Sequence, residues 1–237
     1  MVELFPEGFE EVEFDADLEL AAYGDAGAEE RFWHFFGPGS AVEVEQGWEE
    51  AWKQFHRPVR IGQLWLGPPW EEADEDSISV VIDPGRAFGT GAHATTRLCL
   101  ELLLEQSRTS VVDLGCGSGV LAVAAAKLGF SPVFALDVDP EAVAAAGENA
   151  RRNDVDIVVG CADLFADELP RADIALANVT REAIERVAGR LDVSELIASG
   201  YLASESPALS GWEHVDRREA EGWAADLYSP FESYHLE

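Results

Sequence analysis

The stretch Val111-Val112-Asp113-Leu114-Gly115-Cys116-Gly117-Ser118-Gly119 decides the fold of this chain of 237 residues. It opens with branched apolar residues, places glycine at every second position from Gly115 to Gly119, and leads directly into the apolar segment Val120–Leu128. This order predicts a buried strand, a tight turn and a helix. Glycine permits the turn and lets the backbone approach a ligand closely, and the first turn of a helix offers unpaired N–H groups and a positive potential. The stretch therefore predicts a strand–turn–helix unit that binds a ligand at its turn.

Short apolar segments alternate with helical segments on both sides of this unit. The predicted strands are Ser77–Ile82, Ser110–Leu114, Pro132–Asp137, Ile157–Gly160, Ile174–Asn178 and Leu196–Tyr201. The predicted helices are Thr95–Glu105, Val120–Leu128, Pro140–Asn153 and Arg181–Leu191. Strands that are apolar throughout are buried on both faces, so the predicted fold class is α/β, with a doubly wound, mostly parallel sheet. Ligands of such sheets bind at the carboxyl ends of the strands, near the switch in strand order.

Residues 1–46 are acidic and rich in turns, and they predict a small α+β N-terminal appendage. Within them, Glu11–Tyr23 predicts one or two strands, Ala28–Phe36 a short helix and Ala41–Glu45 a further strand. Aromatic residues recur at helical spacing in Trp48–Phe55, which indicates a connecting helix that packs between two parts of the molecule. The predicted organisation is an appendage at 1–46, a linker helix at 47–57 and a main α/β domain at 58–237.

The formal charge of −30, from 46 acidic and 16 basic residues, bears on the partners of the protein. Contacts with phosphates depend on Lys and Arg, so we expect no nucleic acid partner. A strongly acidic surface attracts a basic partner. Adaptation to a salty cytoplasm is the alternative explanation of the charge, and both interpretations stay open at this point.

The three cysteines, Cys99, Cys116 and Cys161, form no CxxC pair. They indicate neither a disulfide framework nor a zinc site, and no metal is expected. The sequence has no apolar run long enough to span a membrane, and no basic segment followed by an apolar one near its start. We therefore expect a cytoplasmic protein that has no membrane partner, and we expect it to be a monomer.

The spacing of the glycines distinguishes between two kinds of nucleotide cofactor. A dinucleotide fingerprint requires a third glycine one place after Gly119, and position 120 is Val. The GxGxG form with a preceding acid, here Asp113, resembles instead the first motif of class I methyltransferases, which use S-adenosylmethionine. Asp113, Gly115, Gly117 and Gly119 are therefore expected at the cofactor.

Polar residues follow the next three predicted strands. Asp137 lies 22 positions after Gly115, where a carboxylate accepts hydrogen bonds from ribose hydroxyls; a capping or turn role is the alternative. Asp139-Pro140 then starts a helix, with Pro at its first position. Asp163 is placed to meet the adenine amino group or is an ordinary loop acid. Asn178 is expected to contact the amino-acid part of the cofactor, the incoming amine or both, with capping as its alternative.

The segment Ile82-Asp83-Pro84-Gly85-Arg86-Ala87-Phe88-Gly89-Thr90-Gly91-Ala92-His93-Ala94-Thr95-Thr96-Arg97-Leu98 precedes the glycine turn. It resembles the PrmA family, the methyltransferases of ribosomal protein L11, which carries a closely similar DPG-x-AFGTG-x-H-x-TT segment. The resemblance extends from about Trp48 to Asn178. It implies cofactor contacts from Thr95, Gly115, Asp137 and Asn178. It also implies a loop that folds over the methionine end of the cofactor, formed by Phe88, Gly89, Thr90 and Gly91.

Residues next to this loop have second interpretations. Thr95 is also a candidate N-cap of its helix, and the two roles are compatible. His93 is expected to be structural rather than a catalytic base. The chain departs from the family's pattern in a shortened N-terminal part, in the absence of a Lys-Pro-Gly-Gly turn after Arg190, and in Ala94, where the family commonly has Pro. The half that binds the cofactor matches the family well, and the half that selects the substrate matches it less.

The resemblance implies methylation of protein amines, namely an α-amino group and lysine ε-amino groups of ribosomal protein L11. Free L11 is then the basic protein substrate, and Asn178 is the candidate catalytic residue that orients the amine. One alternative is a methyltransferase of the same fold that acts on another protein or a small amine. Others are a nicotinamide-dependent oxidoreductase, against which Val120 counts, and a protein that binds the cofactor without turnover.

Overall fold

The computed structural model describes residues 9–14, 17–22, 32, 57–83 and 93–231. The chain divides into two compact units, Met1–Ala51 and Trp52–Glu237. In the first unit, strands β1 (Phe9–Phe14) and β2 (Asp17–Ala22) pair antiparallel as a hairpin.

This hairpin confirms the strands predicted in Glu11–Tyr23. The helix predicted at Ala28–Phe36, the strand at Ala41–Glu45 and the connecting helix at Trp48–Phe55 lie outside the described residues, apart from Phe32, which is helical. The division into 1–46, 47–57 and 58–237 stays a prediction.

The second unit contains ten described strands and four described α-helices. Its strands are β3 (Val59–Ile61), β4 (Leu64–Gly67), β5 (Ile78–Val81), β6 (Val111–Leu114), β7 (Val133–Asp137), β8 (Val158–Cys161), β9 (Ile174–Asn178), β10 (Glu195–Leu202), β11 (Trp212–Ala220) and β12 (Trp223–Pro230). Its helices are α1 (Ala94–Leu104), α2 (Val120–Lys127), α3 (Pro140–Arg152) and α4 (Arg181–Val187). A short 3₁₀ turn, Ala188–Arg190, extends α4, so the helix predicted at Arg181–Leu191 is α-helical only in its first part.

Seven strands form one sheet in the order β11-β12-β10-β9-β6-β7-β8. The five strands from β8 to β10 are parallel to their neighbours, whereas β12 is antiparallel to both β10 and β11. This arrangement confirms the predicted α/β fold with a mostly parallel sheet. The strand order reverses at β6, which has β7 on one side and β9 on the other, so the carboxyl end of β6 is the switch point where such sheets bind ligands. The short strands β3, β4 and β5 form a separate sheet.

Successive side chains of the central strands belong to two hydrophobic clusters. Val111 packs into a cluster with residues of α1, α2 and α3, whereas Val112 packs into a cluster that contains Ile184 and Val187 of α4. Because side chains alternate along a strand, these clusters lie on opposite faces of the sheet. Helices therefore cover both faces, as the doubly wound fold requires.

Sequence patterns did not predict four strands of this unit, namely β3, β4, β11 and β12. β3 and β4 are three and four residues long, too short to show a periodic pattern. β11 is an edge strand whose side chains are mostly exposed or half-buried, and its run of charged residues hides the alternation expected of a strand. Among the described helices, none is long and apolar enough to cross a membrane.

The antiparallel strands β11 and β12 are joined to each other and to β10 by a buried carboxylate. The side chain of Asp226 on β12 is fully buried, and its Oδ2 accepts hydrogen bonds from Tyr201 Oη at 2.7 Å and from the Arg217 guanidinium at 3.2 Å. His214 Nε2 lies 2.7 Å from Asp226 Oδ1. Arg217 also donates to the carbonyl oxygen of Ala203 at 2.7 Å. The carboxylate therefore links β10, β11, β12 and the segment that follows β10.

We expect Asp226→Ala to lower the free energy of unfolding by about 3 kcal/mol, because it removes the buried carboxylate to which the Tyr201 hydroxyl and the Arg217 guanidinium donate, even though Glu219 still pairs with Arg217. Urea unfolding measures this effect. Asp192→Ala is the matched control, since Asp192 pairs with Arg171 at the surface, where their side chains are 78% and 89% exposed, and surface pairs contribute little. Equal effects of the two substitutions would show that the buried carboxylate is not a stabilising link.

Candidate functional site

A cavity of about 500 Å³ lies at the carboxyl ends of β6, β7, β8 and β9. It is lined by Thr96, Asp113, Gly115, Cys116, Gly117, Val120, Leu121, Asp137, Val138, Asp163, Leu164, Phe165, Asn178, Val179 and Ala183. The lining includes six of the residues that the sequence predicts for the cofactor: Asp113, Gly115, Gly117, Asp137, Asp163 and Asn178. Thr95 and Gly119 are not among the lining residues, and Phe88, Gly89, Thr90 and Gly91 lie outside the described residues. That any of these residues contacts a cofactor stays a prediction.

The glycine turn is tied to the end of the neighbouring strand. The N–H groups of Gly115 and Cys116 both donate to the carbonyl oxygen of Leu136, at 2.8 and 2.9 Å. At Gly119 the backbone has φ +77°, and a Cβ there would lie 2.8 Å from the Cβ of Ala146 on α3. Gly119 therefore allows α2 to pack closely against α3, which is a different role from the cofactor contact predicted for it.

Asp137 connects the glycine turn to the start of α3. Its Oδ2 accepts a hydrogen bond from Gly117 N at 2.9 Å, and its Oδ1 accepts one from Asp139 N at 3.0 Å. The half-buried carboxylate of Asp137 therefore stabilises the turn, which was the alternative role considered from the sequence. It also lines the cavity. Each oxygen retains capacity for a further hydrogen bond, because an ionised carboxylate has about four acceptor sites. Asp139 caps α3 by accepting from Glu141 N at 2.9 Å, which confirms the predicted helix start.

Asp113 stabilises the start of helix α2, which follows the glycine turn. Its side chain is buried, and its Oδ2 accepts from Ala122 N in the first turn of α2 at 3.1 Å. The N-cap position of this helix is Gly119, which has no side chain to accept such a bond, and Asp113 takes over that function. Burial raises the pKa of Asp113 to about 7, although the bond from Ala122 N opposes the rise.

The other end of the cavity combines a carboxylate with apolar groups. Asp163 Oδ1 accepts a hydrogen bond from Phe165 N at 2.8 Å, which folds the loop after β8 back on itself. The guanidinium of Arg186 lies over the Phe165 ring, 3.7 Å from its centroid. Phe165, Leu164 and the exposed Val138 give this end of the cavity its apolar lining.

Asn178 ends β9 and faces the cavity from the opposite side. Its Nδ2 donates to the hydroxyl oxygen of Thr96 on α1, at 3.4 Å. Thr96 is buried and lines the cavity, whereas the adjacent Thr95 is buried without lining it. The sequence could not distinguish these two neighbours, because they carry the same side chain and differ only in the face of the helix on which they lie.

The N-cap of α1 is His93, so the prediction that Thr95 caps this helix was wrong. His93 has the extended backbone of an N-cap, and its Nδ1 accepts from Thr95 N at 3.4 Å and lies 2.8 Å from Thr95 Oγ1. The imidazole also makes an edge-to-face contact with Trp223, with ring centroids 4.8 Å apart. These contacts confirm the structural role expected for His93.

The charge of the lining favours a particular kind of ligand. Asp113, Asp137 and Asp163 contribute carboxyl groups, and none of the described lining residues is Lys or Arg. Among the described residues, no group of His, Cys, Asp and Glu side chains is arranged to hold a metal ion. The cavity therefore suits a ligand that donates hydrogen bonds or carries positive charge better than one that carries several phosphates.

Comparisons with known proteins agree with this geometry. A family model described as ribosomal protein L11 methyltransferase (PrmA) matches residues 33–226. The ribosomal protein L11 methyltransferase of Symbiobacterium thermophilum is 44% identical over 201 residues, which are 77% of this chain and 66% of that protein. An Escherichia coli protein of the same name is 37% identical over 205 residues, which are 80% of this chain and 68% of that protein. The chain thus spans about two thirds of the length of these curated relatives.

A solved structure of a protein with a similar name also resembles this chain. The crystal structure of ribosomal protein L11 methylase from Lactobacillus delbrueckii subsp. bulgaricus superposes with a TM-score of 0.66 at 30% sequence identity. The superposition covers 74% of this chain and 99% of that one.

We expect Asp113→Asn to change how stability depends on pH. The folded protein holds a proton on Asp113 up to about pH 7, whereas the unfolded chain releases it near the ordinary value of 3.8. The stabilisation from this group is therefore fully present below the lower value and is lost as pH rises through the higher one. Relative to Asp113→Asn, the wild-type free energy of unfolding should fall by on the order of 1 kcal/mol per pH unit in this window. Urea unfolding at several pH values measures this slope, and parallel curves for the two proteins would contradict the expectation.

Proposed function

Because the chain belongs to the ribosomal protein L11 methyltransferase (PrmA) family, we propose that it transfers the methyl group of S-adenosylmethionine to amino groups of ribosomal protein L11. The family model covers most of the chain, including every described residue that lines the cavity. The observation that carries the proposal is Asp137, whose carboxylate faces the cavity while it is fixed to the glycine turn by Gly117 N. Family membership makes the chain a methyltransferase and rules out the nicotinamide-dependent oxidoreductase considered from the sequence.

The residues of the cavity fit S-adenosylmethionine. The volume of the cavity, about 500 Å³, is within the range of small-molecule sites. Asp137 has acceptor capacity for ribose hydroxyls, and Phe165 and Leu164 provide an apolar surface for adenine next to the carboxylate of Asp163. The lack of basic residues in the described lining suits a cofactor whose sulfonium is positively charged. When bound, this cofactor supplies an activated methyl group.

The contribution of the protein is to present a neutral amine in line with that methyl group. A free lysine amine has a pKa of about 10.4, and burial in the cavity lowers the pKa of an amine. The Asn178 amide has its Nδ2 directed at Thr96. Among the described residues its Oδ1 has no hydrogen-bond donor, so this oxygen is available to accept from the amine N–H. Asn178 is therefore the residue that we assign to amine orientation.

No described carboxyl group is placed as a dedicated base for the amine. The pKa of Asp113, about 7, would suit a base, but its side chain is buried and bonded to Ala122 N behind the turn. The proton is then lost to water as the amine leaves bulk solvent. Desolvation, rather than a positioned base, favours the reactive neutral form.

The charge of the protein supports a basic protein substrate. A formal charge of −30 attracts a basic ribosomal protein and repels ribosomal RNA. We therefore propose that the enzyme acts in the cytoplasm on free L11, before the protein is assembled into the ribosome. We expect the enzyme to act as a monomer.

A transfer assay tests the substrate. Purified protein is mixed with labelled S-adenosylmethionine and either free L11 or intact ribosomal subunits, and the products are mapped by mass spectrometry. We expect methylated α-amino and lysine ε-amino groups on L11, and faster turnover on the free protein because RNA phosphates repel the acidic enzyme. Transfer to another protein or to a small amine only would assign a different substrate. Cofactor binding without transfer to any amine would indicate a protein that has lost turnover.

Asp137→Asn tests the cofactor site. Both oxygens of Asp137 accept backbone N–H groups, so the amide nitrogen of Asn would face one of these donors, and a charged acceptor would be lost. We expect binding of S-adenosylhomocysteine, measured by calorimetry, to weaken about 10- to 100-fold. The matched control is Asp139→Asn, because Asp139 does not line the cavity and Asn caps a helix as well as Asp does. Equal affinities for the two variants would remove Asp137 from the cofactor site.

A further inference from the structure

Strand β10 continues beyond its pairing with β9 and bends at a glycine. Ser199 is the last residue of β10 that pairs with β9, opposite Asn178. Gly200 follows with φ +103°, and the register between β10 and β12 shifts between Ser199 and Tyr201. A glycine inside a strand often marks a bulge or a close approach of another backbone.

Both features are present at Gly200. A Cβ at this position would lie 2.1 Å from the carbonyl oxygen of Val179 and 2.8 Å from its carbonyl carbon. These are main-chain atoms, which have no rotamer by which they can move aside. The absence of a side chain at Gly200 therefore lets the Val179 peptide lie against β10.

Val179 is confined on its other side as well. A Cβ on Gly115 would lie 2.5 Å from Val179 Cγ1. Because β9 lies between β6 and β10, Gly115 and Gly200 approach Val179 from the two neighbouring strands. The first residue after β9 thus fits between two glycines, and its position has little freedom.

This confinement determines where Asn178 lies. Asn178 immediately precedes Val179, lines the cavity, and has its amide directed at Thr96. A Cβ on Gly200 would also lie 3.0 Å from Val179 N, which belongs to the planar, stiff peptide unit that joins Asn178 to Val179, so a displacement of this unit would move Asn178 with it. Gly200 does not line the cavity, so it acts on the site only through Val179.

We propose that Gly200 is a positioning residue for methyl transfer, because its missing side chain fixes the Val179 peptide and thereby the Asn178 amide at the cavity. The proposal rests on the proposed function, in which Asn178 orients the amine. It concerns a residue outside the cavity whose role is steric.

Gly200→Ala tests the proposal. A displacement of about 1 Å in an active site lowers turnover on the order of 100-fold, and we expect a loss of that size in kcat for L11. Gly211→Ala is the matched control, because Gly211 also has a positive φ, +85°, but no atom lies within 4 Å of its hypothetical Cβ. A kcat for Gly200→Ala equal to that of Gly211→Ala would overturn the proposal.

A double-mutant cycle separates positioning from general destabilisation. If Gly200 acts through Asn178, Gly200→Ala should have little further effect in the Asn178→Ala background, where kcat should stay within about twofold of Asn178→Ala alone. Losses of kcat that multiply in the double variant would overturn the proposal, because they would show that the two residues act independently.

A second pair of variants covers the case in which Gly200→Ala does not fold. Gly115→Ala presses on the Val179 side chain, and Val179→Ala removes the contacted methyl group. Gly115 lines the cavity and has a φ of +72°, so part of the loss of kcat in Gly115→Ala will persist in any background. The part caused by contact with Val179 should be relieved in the double variant Gly115→Ala/Val179→Ala, which we expect to recover kcat about tenfold or more over Gly115→Ala alone. Absence of recovery would show that the confinement of Val179 does not control the site.

Affinity for S-adenosylhomocysteine distinguishes failure of this inference from failure of the proposed function. If the wild type binds this ligand but transfers no methyl group to L11, the substrate assignment fails and the cycle is evaluated on affinity. Gly200→Ala should then bind about tenfold more weakly, with the same lack of additivity with Asn178→Ala. An unchanged affinity in that case would overturn the role of Gly200, and a wild type that binds no S-adenosylhomocysteine would overturn both proposals.

Discussion

The carbonyl oxygen of Leu136 accepts two consecutive N–H groups, those of Gly115 and Cys116, at 2.8 and 2.9 Å. This bifurcated contact joins the end of β7 to the turn that follows β6, and it fixes the direction in which the chain leaves the sheet. The start of α2, the placement of Asp137 against Gly117, and the shape of the cavity all depend on that direction. The strands β6 and β7 must end at the same level for one carbonyl oxygen to reach both N–H groups. The register of these two strands therefore also fixes the geometry of the turn at the cavity.

Carboxylates complete this arrangement in a protein with a large excess of negative charge. Asp113, Asp137 and Asp139 each accept an N–H group of a turn or of the first turn of a helix, where the positive end of the helix dipole favours an acid. The negative charge of Asp137 adds to the rise in the pKa of Asp113, and the hydrogen bond from Ala122 N opposes that rise. Asp113 and Asp137 also line the cavity, and the described lining contains no Lys or Arg, which suits the cationic methyl donor and the amine acceptor proposed above.

The sequence predicted the parts of the fold whose physical cause is local. The strands Val111–Leu114 and Ile174–Asn178 are apolar apart from Asp113 and Asn178, because both of their faces are buried, and such runs are easy to recognise. Roles of individual residues that depend on neighbours distant in the sequence could not be predicted. His93, rather than Thr95, caps α1; Thr96, rather than Thr95, faces the cavity; and nothing near Gly200 in the sequence indicates that the main chain of Val179 lies against it. The family resemblance predicted which half of the chain binds the cofactor, whereas the close approach of Gly200 to the Val179 backbone is visible only in the folded structure.

The charged edge strand β11 has a consequence for assembly. Its outer backbone groups could template another strand, as those of any sheet edge can. Glu213 and Glu219 are exposed on this strand, and a second strand placed alongside would have to remove water from both. The mixture of charges that concealed β11 from pattern analysis thus discourages the sheet from growing into an aggregate. The charged residues that make β11 difficult to recognise as a strand in the sequence are thus the same residues that oppose its pairing with another chain.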